Sequence, residues 1–176
     1  MALPAAASGA AAGKSLTIRV FVVPVTRHVK DVPPKRFNLG EKSRGDTFSG
    51  TSILRNAVPQ FGKPKRARVG TDKFVQVWLT PKRLSIDVVG RLPGGALHAH
   101  GVGSIETNRP KVPIVGGTGV YAGATGFVLG QVLPSGQQLD TFTLHIPERK
   151  APREQGFRSG SDGTRTRDLL RDRPAF

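Results

Sequence analysis

His98-Ala99-His100 carries two imidazoles two residues apart, the spacing that puts both on one face of a β-strand. Paired imidazoles on a strand are the start of a metal site of the kind built in β-barrels, and Glu106 follows within loop reach. A third nitrogen would have to converge from His28 or His145; otherwise the pair simply lines a surface or a cavity. Gly45-Asp46 opens an apolar run, so this carboxylate either caps a turn or hangs at the end of a strand. In the second position, apolar walls would raise its pKa and let it steer protons. Gly-x-Ser-x-Gly does not occur and there is no cysteine. A nucleophile elbow, thiolate catalysis, disulfides and cysteine-held zinc or iron–sulfur groups are therefore excluded.

The block Val115-Gly116-Gly117-Thr118-Gly119-Val120-Tyr121-Ala122-Gly123 leads from an apolar run into glycines. A dinucleotide site would need a helix next and an acid about 20 residues on. Gly123, Gly126 and Gly130 break any such helix, and Asp140 sits near that distance only by falling inside a strand pattern. The block reads as a glycine turn between two strands. Lys63-Pro64-Lys65-Arg66-Ala67-Arg68 is the densest basic run in a chain with 27 Lys and Arg against 12 Asp and Glu, a net charge of +15. A polyanion would suit that balance. Only Phe61, Phe74 and Trp78 lie near the run to stack on bases, so a solvated loop is the better reading and nucleic acid is not the expected partner.

The elements that must position these residues are short. The 176 residues suit one domain, and their 22 Gly and 14 Pro argue for turns rather than helices. No apolar stretch reaches the roughly 18 residues of a membrane-spanning helix, so no membrane is expected. Apolar runs at Leu16–Val22, Phe48–Leu54, Phe74–Trp78, Leu84–Val89, Ala96–Val102, Lys111–Val115, Phe127–Leu133 and Leu139–Ile146 predict eight strands. In the last, Phe142, Leu144 and Ile146 share one face. The connections are short enough for antiparallel neighbours, which predicts an all-β fold, a closed eight-stranded antiparallel barrel with room for one small ligand. A sandwich is the alternative.

The barrel is expected to span residues 15–147, between a leader over residues 1–14 and a disordered basic tail over residues 148–176. The leader is Ala- and Gly-rich, with small residues at Ala10-Ala11-Ala12 but no basic start or long apolar core. Secretion is expected if a signal peptide precedes the first Met, and a cytoplasmic location otherwise. The tail holds eight basic and five acidic residues, and Gly163–Arg173 resembles the antisense translation of a transfer-RNA gene. On that reading the tail carries no selected function.

Val112-Pro113-Ile114-Val115-Gly116-Gly117-Thr118-Gly119-Val120-Tyr121, followed by Ala122-Gly123-Ala124-Thr125-Gly126, resembles the glycine block of the dirigent and allene oxide cyclase barrel superfamily. Asp140-Thr141-Phe142-Thr143-Leu144-His145 keeps that superfamily's spacing, and Gly45-Asp46 is similar to the pair opening the second strand of some members. The resemblance implies a closed barrel with a central apolar cavity, often a homotrimer, with no cofactor. Three departures separate the chain from the known activities. Thr125 stands where plant dirigent proteins usually have Arg, Gly119 and Val120 are neutral where their cavities carry acids, and Leu16–Val23 lacks the cyclases' first-strand carboxylate.

The expected function is therefore a dirigent-like barrel of unassigned activity that binds a small apolar or aromatic molecule and orients a reactive intermediate. Asp46, Tyr121, His98, His100 and Phe142 are the residues expected to meet the ligand, and no metal is assigned to them. A cationic polyanion-binding module and a cupin-like metal-dependent enzyme are the alternatives.

Overall fold

A computed structural model describes residues 13–35, 37, 40–104, 106 and 109–148. Most of the expected leader and nearly all of the expected tail lie outside the described residues. All eight expected strands are present, most of them longer than their apolar runs. They are β1 (Gly13–Lys30), β2 (Thr47–Asn56), β3 (Arg68–Thr80), β4 (Arg83–Leu92), β5 (Gly95–Ser104), β6 (Lys111–Gly117), β7 (Thr125–Val132) and β8 (Gln138–Pro147). Every strand pairs antiparallel with its chain neighbour, and β1 also pairs with β8, closing the sheet into a barrel. The sandwich alternative is thereby set aside. No helix among the described residues is long and apolar enough to cross a membrane.

β1 makes closure possible through its 18 residues. Gly13 to Val22 run against β8, and Val20 to Lys30 run against β2. A bulge between Pro24 and Thr26 breaks the alternation. Such a bulge moves the following side chains to the opposite face, and Arg27 accordingly turns to the inside of the barrel.

The interior is filled unevenly. Ile18, Val20, Leu54, Leu97, Ile114, Tyr121, Phe142 and Leu144 form a packed apolar core in one half. Each fully buried aliphatic side chain there contributes about 1.5–3 kcal/mol. The other half keeps a hollow, described below.

Between β6 and β7 a single 3-10 turn, Gly119–Tyr121, folds back over the core. Gly119 has φ +61°, and a Cβ there would collide with the carbonyl oxygen of Gly94. Val120 N–H donates to that same carbonyl at 2.9 Å, so the turn is held against the β4–β5 hairpin with no room for a side chain. The glycine block is a packing device. Gly119→Ala should lower the unfolding free energy by about 2–4 kcal/mol, combining left-handed strain with a backbone clash. Urea denaturation checks this; a loss under about 0.5 kcal/mol, the scale of an ordinary surface substitution, would refute it.

Candidate functional site

The hollow half of the barrel is a cavity of about 160 Å³. Val22, Phe48, Phe74, Ile86, Val112 and Val128 supply apolar walls. The rings of Phe48 and Phe74 lie 5.2 Å apart at 53° to each other. Ser52, Asp72, Gln76, Gln138 and Asp140 supply the polar atoms, and exposed Arg27 stands at the rim. Strand parity accounts for this set. Ser52 on β2 faces Asp72 on β3 across the ladder, while Asp140 on β8 pairs with Gly130 on β7. A Cβ on Gly130 would meet the Asp140 carboxylate at 3.4 Å, an ordinary contact, so the two lie side by side in the wall.

Two carboxyl groups thus face one largely apolar chamber. Burial raises the pKa of Asp72; Ser52, opposite it, offsets part of the rise through its hydroxyl and backbone N–H. The approach is electrostatic rather than a formed side-chain bond, because neither Ser52 Oγ nor Asp72 Oδ1 has a hydrogen-bond partner. Asp140 is pushed up to about 7, first by burial and further by the Asp72 charge. Gln138 Nε2–H, donating to Asp140 Oδ1 at 2.9 Å, pulls the other way. Part of the Asp140 surface is open, but it opens onto the cavity rather than bulk water, so burial still dominates.

The residues singled out from the sequence lie elsewhere. Asp46 is fully buried, and its carboxylate accepts N–H bonds from Val32 at 2.9 Å and Ser43 at 2.7 Å. It pins the β1–β2 loop, the turn-capping role, and does not line the cavity. Tyr121 is buried in the packed half, where its hydroxyl donates to the carbonyl of Pro93 at 3.0 Å and burial raises its pKa. Phe142 belongs to the same apolar core, beneath the hollow.

His98 and His100 alternate with buried Leu97 and Ala99, so they stand on the outer face of β5. Both meet Asp87 Oδ2, His98 Nε2 at 3.0 Å and His100 Nδ1 at 3.1 Å. The His98 hydrogen bond is the main cause lowering the Asp87 pKa; burial opposes it, and the His98 charge and His100 add smaller lowering contributions. Glu106 instead pairs with Lys82 at 2.7 Å. Among the described residues no three His, Asp or Glu side chains are grouped to hold a metal.

The basic run is an ordered loop. The Asn56 side-chain amide donates to the carbonyls of Gln60, Lys63 and Pro64, and Arg55 donates to that of Arg66.

No protein-family model matches the sequence, and no curated protein matches it. Solved structures do match. A pyocyanin demethylase superposes with a TM-score of 0.60 at 19% identity, over 73% of this chain and 99% of that one. A pterocarpan synthase dirigent protein matches at 0.55 and 13%, over 80% and 97% of the two chains. A nonspecific heme-binding cyclase that catalyses a [4 + 2] cycloaddition matches at 0.57 and 14%, over 80% and 70%. At these identities the likeness establishes the fold: a dirigent and allene oxide cyclase-like barrel.

Asp140 gives the cavity a measurable signature. Its folded-state pKa lies above its unfolded value, so the folded chain holds a proton that the unfolded chain has lost between roughly pH 4 and 7. Asp140 therefore costs stability increasingly across that window and up to a plateau above it. Asp140→Asn should gain about 2–4 kcal/mol over the natural chain between pH 4 and pH 8. Denaturant melts at the two pH values measure this; a difference that does not change with pH would contradict the burial of the carboxyl group.

Proposed function

We propose that this protein is a dirigent-like barrel that binds one small apolar or aromatic molecule in its cavity and orients it as a reactive intermediate, without a cofactor. The observation that carries the reading is the uneven interior: one part is filled by apolar side chains, while another keeps a cavity walled by Phe48, Phe74, Ile86 and Val112. Apolar cavities near 150 Å³ take a benzene-sized guest, so one aromatic ring is the right scale. The walls hold the ring by shape and apolar contact, and the few polar atoms fix its direction. The structural neighbours support the reading, since each acts on or makes a small molecule according to its name. Homotrimer formation belongs to the same reading, with the exposed valines Val75, Val89 and Val102 on the outer face as its apolar contacts.

Benzyl alcohol or indole at about ten times its Kd should raise Tm by roughly 3–8 °C. The cavity-filling variant Val128→Phe should lose most of that rise while remaining folded. If neither probe moves Tm or the resonances of the cavity methyl groups, the binding reading is wrong.

A further inference from the structure

The polar part of the cavity holds two carboxyl groups among the amides of Gln76 and Gln138 and the Ser52 hydroxyl. The carboxyl groups of Asp72 and Asp140 face the chamber from β3 and β8. Ser52 is 1% exposed and Asp72 6%, yet Ser52 Oγ and Asp72 Oδ1 are both without a protein partner. Buried polar atoms are ordinarily satisfied, and these two are sealed within the wall of the chamber, next to the carboxyl surface that it exposes. Beside them, the Phe48 and Phe74 rings offer the negative faces that attract a cation. The charged groups lining the cavity are Asp72, Asp140 and Arg27, and Arg27 stands at the exposed rim.

We infer that the cavity selects ring-sized molecules bearing a protonated nitrogen, which Asp72 and Asp140 hold between them beside the Phe48–Phe74 pair. The inference rests on the small-molecule reading above and adds the ligand's chemical class. Two desolvated carboxylates repel each other, and burial opposes charging either one. A cation between them reverses both terms, whereas a neutral donor relieves only part and an anion worsens both. A primary ammonium can donate to the carboxyl groups of Asp72 and Asp140 together, while Ser52 Oγ stays beside Asp72 in the wall. Binding should therefore expel the proton that Asp140 holds near neutral pH.

The test uses three probes of one shape, benzylamine, benzyl alcohol and benzoate, titrated calorimetrically into the full chain at physiological salt. Benzylamine should bind about tenfold or more tightly than benzyl alcohol, the scale of a hydrogen bond to a charged group, with benzoate weakest. At pH 7 its binding should release about half a proton, read from the heats in two buffers of different ionisation enthalpy. Its affinity should rise from pH 6 to pH 8. Asp140→Asn and Asp72→Asn should each cut the ratio of benzylamine to benzyl alcohol affinity about tenfold, and a ratio that stays at its natural value in both folded variants overturns the assignment. The pH series on the natural chain decides the matter if either variant fails to fold. Equal binding of amine and alcohol overturns the selectivity and leaves the cavity reading standing. No binding of any probe overturns both.

Discussion

Everything in this molecule depends on one ladder, the pairing of Gly13–Val22 with Gln138–Pro147 that joins the first strand to the last. A sheet of eight strands left open would present two unpaired edges and a one-sided apolar face. Closing it satisfies both edges and turns the inner faces toward each other, so alternate residues of every strand are removed from water together. β1 must serve two neighbours to do this. Its length and the bulge at Pro24 let the first half lie against β8 and the second against β2. The bulge also brings Arg27 to the rim of the cavity, so the device that closes the barrel contributes to the chemistry of its opening.

Once closed, the barrel encloses more volume than its side chains fill. In the packed half, Tyr121 and the surrounding aliphatic residues use that volume, and the 3-10 turn seals the end. In the other half, Ser52, Asp72, Gln138 and Asp140 occupy positions that larger apolar residues could have filled. Burying a carboxyl group without a matched charge costs stability, as the raised pKa values of Asp72 and Asp140 record. A fold that needed only stability would fill those positions with aliphatic side chains. Two buried acids without a countercharge and an unpaired hydroxyl in one chamber are the kind of local violation expected where a protein binds something.

Much of this was legible in the residues. The eight apolar runs correspond to the eight strands because each strand buries one face, and turn residues punctuate the runs. The run containing Phe74 understates β3, whose first six residues, Arg68 to Lys73, offer only Val69 as an apolar signal. The site was harder to read. Asp140 shares parity with Phe142 and Leu144, and Asp72 shares it with Phe74 and Trp78, so inward-facing acids were available from alternation within their strands. Asp46 drew attention through its Gly-Asp turn, but the backbone N–H groups of Val32 and Ser43 occupy its carboxylate. His98 and His100 share parity with each other and oppose Leu97, which places them outside as soon as Leu97 is assigned to the core. Which inward positions would be packed and which left hollow depends on how eight strands tilt and stagger around one axis. No single strand encodes that.

The net charge of +15 weighs against a cationic guest at first sight, since a positive exterior repels it. The two fields act over different distances and through different media. Basic loops such as Lys63–Arg68 act through water and salt, where interactions fade within about 8–10 Å at physiological ionic strength. Asp72 and Asp140 act across a few ångströms of apolar wall, where the same charge interacts several times more strongly. Surface charge can slow the approach of a cation, but it cannot neutralise the acid pair. The affinity of a seated guest is set by the atoms it touches, and the charged ones away from the rim are the carboxyl groups of Asp72 and Asp140. A positive exterior around an acidic pocket thus filters its guests by contact chemistry more than by attraction from a distance.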